Sequence, residues 1–283
     1  MTEKRSFILS CIDGSTISEA VVDYASWLAA TSQSPLKLLH TIEPGSQVGQ
    51  TNLSGAIGLG ARDDLMQQLS LIEAQRSRLL IQQGKAMLKN AQERAGKMGA
   101  GDIALCQRHG ELAENLIDLE SKIHLVVVGI KGESHEKEVG ISTKLESLIR
   151  AIHKPIFVVN GPFKPPKKLL FAYDHSDACQ RALSLFISLQ LFAESRCHLV
   201  HVGHEGQAFL QGAAKMLHEA GIDTCVAQIE GKIDEALSQY QIEHHIDLMV
   251  MGAFSHGRMR NLLMGSFTAK MLHKTQRPLL LLR

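Results

Sequence analysis

The sequence predicts an α/β protein made of two doubly wound domains, each with a five-stranded parallel sheet. Two observations support this fold class. An apolar run that ends in a small-residue loop occurs at 126–132 and again at 248–255. Short apolar runs also alternate with stretches whose apolar residues follow helical spacing. Continuous apolar strands between amphipathic helices are typical of a parallel sheet covered on both faces.

The repeat extends over most of the chain, because other landmarks recur at matched separations. Asp13 and His40 are 27 residues apart, and so are Asp174 and His201. A repeat of more than a hundred residues is far longer than the periods of solenoid proteins, so each copy is expected to be a whole domain with its own core. The expected domains are 1–160 and 161–283.

Each copy has the same order of elements. A strand ending in a carboxylate leads into a first helix, further strands alternate with helices, and a Pro-led apolar strand closes the copy. Right-handed crossovers then place every strand-to-helix loop along one edge of the sheet. The expected strands are 7–13, 36–42, 103–106, 126–129 and 155–159 in the first copy, and 169–174, 197–202, 224–229, 248–252 and 278–282 in the second.

The first copy carries about forty extra residues between its second and third strands, within an insertion at about 44–98. Gly, Ser, Gln and Asn are frequent at 44–60, which predicts a mobile loop. Apolar residues in helical register at 61–98 predict a long helix projecting from the domain. The insertion either covers its own domain or forms a lid or partner surface. Between the copies, 160–167 holds three of the seven prolines and is expected to be a short, stiff linker.

Composition excludes several classes of protein. The chain has 283 residues, of which 45% are hydrophobic, enough for two cores. No run reaches the roughly 18 apolar residues of a membrane helix, and the start lacks a signal-peptide core, so we expect a cytoplasmic protein without membrane contact. A net charge of +1 gives no general attraction to nucleic acid. The cysteines and histidines lack the spacing of a metal site and are expected in the core or on the surface.

The glycine segment of the second copy has the features of a phosphate site. In a doubly wound sheet, ligands bind beyond the carboxyl ends of the strands. The loop after Gly252 lies at that edge, and Gly265 precedes the next helix. Backbone N–H groups at a helix N-terminus attract phosphate, and the hydroxyls of Ser266 and Thr268 add donors.

The spacing Gly-x-x-Gly-x9-Gly-Ser/Thr, the strand-ending Asp174 and the strand Val200-His201-Val202 together resemble the universal stress protein family. Both halves look like copies of it, which identifies a tandem member. The best match is 251–266, which differs by having Ser255 where the family has its second glycine. The resemblance implies an adenine nucleotide alpha hydrolase-like, Rossmann-like fold and a regulatory role in the stress response.

The resemblance also implies that the second half binds ATP, or AMP or ADP, with or without Mg²⁺. Asp174 faces the nucleoside, Val202 offers its backbone to the adenine, and Gly265 holds phosphate. The residues expected in this site are Asp174, Val202, Met251, Gly252, Ser255, Arg258, Gly265, Ser266, Phe267 and Thr268.

The first half is the poorer candidate for a nucleotide. Ser142 replaces the third glycine, and three glutamates lie in its loop where the second half has Arg258 and Arg260. Carboxylates repel a triphosphate, whereas arginines attract it. The remaining candidate contacts in this half are Asp13, Gly129 and Gly132.

The sequence marks no catalytic centre. It has no Gly-x-Ser-x-Gly elbow and no Walker motif, and no carboxylate follows Gly252 to orient a water molecule. Two alternatives stay open, a scaffold that binds protein partners without nucleotide and a slow ATPase. The closing strands 155–159 and 278–282 are expected to pair across an intramolecular pseudo-dimer, and a homodimer is a further option.

Overall fold

The computed structural model describes residues 6–43, 59–131, 142–252 and 266–283, with only the backbone at 59–66 and 266. This part of the chain contains ten strands and eight α-helices. The first half contains β1 Phe7–Cys11, α1 Ser18–Ser32, β2 Leu36–Ile42, α2 Leu59–Lys97, β3 Ile103–His109, α3 Leu112–Leu119, a 3₁₀ helix Glu120–Lys122, β4 Ile123–Gly129, α4 Thr143–Ala151 and β5 Ile156–Val159. The second half contains β6 Lys168–Ala172, α5 Asp177–Leu189, β7 Arg196–Val202, α6 Gln207–Glu219, β8 Thr224–Ile229, α7 Ile233–Glu243, β9 Leu248–Gly252, α8 Ser266–Lys274 and β10 Leu279–Leu282.

All ten strands form one sheet, in the order β3-β2-β1-β4-β5-β10-β9-β6-β7-β8. Neighbouring strands within each half are parallel, and the order of the second half mirrors that of the first. The halves join where β5 and β10 pair antiparallel, with Phe157 opposite Leu280. The predicted α/β fold class is confirmed, and the closing strands pair as expected. The boundary between 160 and 161 stays a prediction.

The linker is fixed against α1 by Tyr24, which is buried. The hydroxyl of Tyr24 accepts a hydrogen bond from Lys164 N at 3.2 Å and lies 3.4 Å from Pro162 O, to which it can donate. Its ring contacts Phe157 at 5.1 Å and Phe163 at 4.9 Å between centroids. One aromatic side chain therefore packs on both the seam between the halves and the segment that connects them.

The helix predicted at 61–98 is α2, which begins two residues earlier, at Leu59. The predicted loop at 44–60 lies outside the described residues except for its last two positions, which belong to α2. Toward its C-terminal end α2 packs on its own half through Leu88, Ala91 and Ala95, which are buried. The segment 67–79 is exposed throughout. The insertion thus covers its domain with one part and projects with another.

Arg94 fastens α2 to α1. Its Nε and Nη2 donate to the two carboxylate oxygens of Asp23 at 2.6 and 2.7 Å, and its Nη1 donates to Glu19 at 2.8 Å. These hydrogen bonds, with the one to Asp23 the strongest cause, raise the pKa of Arg94. The carboxylate of Asp23 is only 10% exposed. A paired guanidinium is therefore needed to hold that charge at the helix interface.

Replacing Arg94 with alanine is expected to lower the free energy of unfolding by about 1–2 kcal/mol, because Asp23 loses both charge-assisted hydrogen bonds while the half-exposed arginine limits the loss. Urea denaturation measures the change, and amide hydrogen exchange should rise along α2. Arg108→Ala is the matched control, since Arg108 makes one 3.3 Å contact with the exposed Asp118 and should cost about 0.5 kcal/mol or less. Equal losses in the two variants would contradict the role given to Arg94.

Candidate functional site

In the second half, Asp174 follows β6 and organises the start of α5. Its Oδ1 accepts hydrogen bonds from Ser176 N at 3.0 Å and Ser176 Oγ at 2.7 Å. Ser176 in turn caps α5 by accepting from Cys179 N at 3.2 Å. The predicted nucleoside contact is thus held at the carboxyl edge of the sheet by a fixed loop.

The first half repeats this arrangement, except that the hydroxyl donor is a different serine. Oδ1 of Asp13 accepts from Ser15 N at 3.1 Å and from Ser18 Oγ at 2.9 Å. Both halves therefore use the strand-ending aspartate as a loop brace, and the repeated aspartate has a structural role whatever its contact with ligand.

The histidines of the repeat are structural as well. His201 Nδ1 lies 2.9 Å from Tyr173 O, and His40 Nδ1 lies 3.0 Å from Ile12 O. Because a carbonyl only accepts, each ring donates its Nδ1 proton to the residue before the aspartate. This hydrogen bond explains the repeated separation of 27 residues from aspartate to histidine. It also places Val202, the next residue of β7, beside the loop of Asp174.

The two edge glycines have different surroundings. Among the described residues, the atoms nearest a Cβ built on Gly252 would be Ala182 Cβ and Cys179 Cα, both at 3.9 Å. A Cβ on Gly129 would lie 2.6 Å from Ile17 Cγ2. Ile17 follows its aspartate by four residues, and at that spacing the second half has Ala178. The smaller side chains of α5 therefore leave space for a Cβ at Gly252, although Gly252 itself is buried, whereas Ile17 fills that space beside the half-buried Gly129.

The described part of the predicted phosphate segment begins at α8. Ser255, Arg258 and Gly265 lie outside the described residues, and Ser266 is the first residue of the helix. Met251 is buried at the end of β9, and Phe267 packs half-buried against the core. The Nζ atom of Lys274, in the last turn of α8, binds Asp234 of α7 at 2.6 Å. These contacts fix the helix whose N-terminus faces the loop.

Thr268 lies deeper than the sequence suggested. It is 2% exposed, and it follows Gly252 at the same separation that puts the buried Leu145 after Gly129. The two residues are at equivalent core positions of the repeat. Its hydroxyl, predicted as a phosphate donor, is closed off from solvent in this structure.

The first half contains a small cavity at the equivalent place. It has a volume of about 50 Å³ and is lined by Asp13, Gly129, Lys131, Ser142 and Lys144, among others. That volume holds about one or two water molecules. The hydroxyl of Ser142 caps α4 by accepting from Leu145 N at 3.2 Å.

A larger pocket of about 310 Å³ opens between the β1–α1 loop and α2. Gly14, Glu19, Met87, Asn90 and Arg94 belong to its lining. Its size is at the lower end for small-molecule pockets. Sequence reasoning missed this pocket, because one of its walls is the insertion, whose position against α1 depends on contacts distant in sequence.

An aromatic cluster beside Asp174 was also missed. His175 has a left-handed backbone with φ 59°, at the position that Gly14 has with φ 84° in the first half. Its ring stacks on Phe209 of α6, with centroids 4.9 Å apart and planes 12° apart. The edge of His201 meets the same Phe209 at 4.9 Å. The one feature of the sequence that could have indicated this cluster is His175, at the position where the first copy has Gly14.

The cysteines are all free, and three of them, Cys11, Cys179 and Cys197, are buried. Burial raises the pKa of Cys179 to about 12, so the thiol nearest the candidate site stays protonated. Among the described side chains, no three of His, Cys, Asp or Glu come together as metal ligands would. None of the described helices is both long and apolar enough to cross a membrane.

The protein consists of two doubly wound halves that are joined through their last strands. Each half has a loop held by an aspartate and a glycine at the carboxyl edge of the sheet. The fold is therefore that of a tandem α/β protein in which one domain is repeated. The model of the universal stress protein family matches residues 6–160 and 204–283. The chain belongs to the universal stress protein family.

Individual relatives agree with this family. The universal stress protein Slr1230 of Synechocystis sp. is 35% identical over 284 residues, covering 98% of this chain and 99% of the relative. The crystal structure of a universal stress protein from Archaeoglobus fulgidus covers 100% of this chain and 99% of its own, with a TM-score of 0.68 at 15% identity, and is similar in fold. A universal stress protein solved in complex with cAMP covers 56% of this chain and 98% of its own, with a TM-score of 0.35 at 21% identity.

Proposed function

We propose that the chain is a cytoplasmic regulator of the stress response that binds ATP, or ADP or AMP, at the carboxyl edge of its second half. The observation that supports this half is the space beside Gly252, which the side chain of Ile17 fills beside Gly129 in the first half. A phosphate or ribose needs close approach to the backbone at such an edge, and a side chain like Ile17 prevents it. Bound nucleotide would favour one conformation of the 253–265 loop and so change the surface presented to protein partners.

The charges and the helix dipole of the second half also support it as the half that binds nucleotide. The N-terminus of α8 presents backbone donors toward the loop, and Arg258 and Arg260 add positive charge in the sequence of that loop. Mg²⁺ bound with the triphosphate would neutralise part of its charge, with water and phosphate oxygens as its main ligands.

The cluster of His175 and Phe209 supplies an aromatic surface next to Asp174, which the family resemblance places facing the nucleoside. Stacking on an aromatic side chain contributes about 1–3 kcal/mol per nucleic-acid base. We therefore add His175 to the proposed contacts of the adenine ring.

Gly265→Asp is expected to weaken ATP binding by the whole chain at least about 100-fold, because a carboxylate would stand where the phosphates meet the helix N-terminus. The control is Ser142→Asp, at the equivalent position of the first half. Aspartate is as good an N-cap as serine, so this variant should keep both the fold and the affinity. Isothermal titration calorimetry with ATP, ADP and AMP measures the dissociation constants.

Each result of this titration decides between named functions. No binding by the unmodified chain would overturn the proposal and favour the protein-binding scaffold. Loss of binding in Ser142→Asp alone would move the nucleotide to the carboxyl edge of the first half, where Ser142 lines the small cavity. Repeated turnover of ATP that disappears with Gly265→Asp would identify a slow ATPase.

A further inference from the structure

The projecting segment, residues 67–79 of α2, carries large apolar side chains that nothing in the described chain covers. Leu69 is 39% exposed, and Ile72 and Leu79 are each 60% exposed. Isolated exposed leucines are common on protein surfaces, but a stripe of them on one helix marks an interaction site.

These side chains form one stripe along the helix. Leu69, Ile72, Arg76 and Leu79 are separated by three, four and three residues, the alternation of the inward positions of a coiled coil. The stripe lies about a third of a turn away from the line of Leu88, Ala91 and Ala95, at about 100° per residue. It lies on the line of Arg94, five full turns after Arg76, but over 67–79 this side of α2 is exposed.

We propose that the projecting segments of two copies of this chain pack antiparallel, related by a two-fold axis at Ala74. Leu69 of one copy then lies opposite Leu79 of the other, and Ile72 lies opposite Arg76. A two-fold contact uses the same surface on both subunits, and the stripe is complementary to itself in this register.

The charges select this arrangement. Glu73 flanks the stripe on the same side as Arg76. The antiparallel register therefore brings Glu73 of each copy beside Arg76 of the other copy. Neither residue makes an ion pair within the described chain. A parallel register would put Arg76 opposite Arg76, where like charges repel. The aliphatic stem of Arg76 can cover Ile72 while its guanidinium reaches the carboxylate.

The described residues of the chain's own body offer no equivalent partner. Arg94 holds the far end of α2 against Asp23 and Glu19 of α1. Arg94 follows Arg76 by five full turns, so the stripe continues the side of α2 that faces α1 there, and Leu79 lies about 20 Å before Arg94 along the helix axis. A second copy is the partner whose apolar spacing and charge pattern match the stripe.

Sedimentation velocity of the full chain over a wide range of protein concentration tests the proposal. We expect the mass to rise from 31.1 kDa toward twice that value as concentration increases. Ile72→Glu and Leu79→Glu should each raise the dimer dissociation constant at least about tenfold, because a carboxylate would be buried in an apolar contact. Leu71→Glu is the matched control, since Leu71 is 64% exposed but lies outside the stripe and should leave the dissociation constant unchanged.

The charge pair has its own test. Glu73→Arg and Arg76→Glu should each weaken the dimer, and the double variant with both exchanges should restore it. A single-chain mass at every concentration would overturn the proposal. So would a dimer that resists both Ile72→Glu and Leu79→Glu, or one that Leu71→Glu disrupts equally. Circular dichroism confirms that each variant keeps its helix content.

Discussion

Phe157→Ala is expected to lower the free energy of unfolding by about 3–5 kcal/mol, the cost of removing a fully buried phenylalanine. Phe157 is 0% exposed and lies in β5 opposite Leu280 of β10. The alanine would leave a cavity between the antiparallel seam and the ring of Tyr24, which is 5.1 Å away. Chemical denaturation followed by fluorescence and circular dichroism measures the loss.

Phe163→Ala provides the comparison for this prediction. Phe163 also packs on Tyr24, with centroids 4.9 Å apart, but it lies in the linker and is half-buried. Its removal is expected to cost about 1–2 kcal/mol, because less apolar surface returns to water. If Phe157→Ala lowers the free energy of unfolding no more than Phe163→Ala does, the antiparallel seam contributes less to stability than its burial suggests.

Asp247→Ala is expected to lower the free energy of unfolding by about 2–3 kcal/mol. The carboxylate is 7% exposed and receives Lys164 Nζ at 2.6 Å. Its other oxygen accepts from the backbone N–H groups of Lys167 and Lys168, each at 3.1 Å. One side chain thereby connects the end of the linker to the start of β6 and of β9. Lys164→Ala is the control and should cost at most about 1 kcal/mol, since that ammonium is 61% exposed.

The contribution of Asp247 should depend on pH. Burial raises the pKa of this carboxyl, but the hydrogen bonds from Lys164, Lys167 and Lys168 outweigh it and hold the pKa below its ordinary value of 3.8. The ionised form is thus favoured by folding, so the stabilisation is complete above that ordinary value and is lost as the pH falls through the lower pKa of the folded state. Denaturation of both proteins across this range should show the difference between wild type and Asp247→Ala shrinking in acid. A difference that grows in acid would contradict this assignment.

Most of the fold could be predicted from the sequence, because the repeat supplied each element twice. Several strand bounds differ: the strands predicted at 7–13 and 169–174 end two residues earlier, β4 begins three residues before 126, and β3 continues past 106 to His109. Its last three residues are Gln107, Arg108 and His109, which have no apolar pattern because β3 is an edge strand. Pairing with β2, through contacts that sequence patterns do not reveal, sets its length.

The candidate site was less predictable than the fold. The positions of Asp174, Val202 and Gly252 at one edge followed from the topology of parallel strands. The burial of Thr268 was predictable in principle from Leu145, its counterpart in the repeat. The stack of His175 on Phe209 and the pocket beside α2 were not, because both need contacts between elements far apart in sequence.

The antiparallel seam has a consequence for the independence of the two halves. Since every strand of the first half runs opposite to every strand of the second, their carboxyl edges lie at opposite edges of one continuous sheet. In a dimer of identical chains, any substitution would appear at both edges at once. In this single chain, Ile17 can fill the space beside one glycine while the smaller Ala178 occupies the equivalent position in the other half. Because the two copies are fused in one chain, the residues at one carboxyl edge can change without the same change at the other. One edge can therefore be specialised while the residues of the other edge pack into the core.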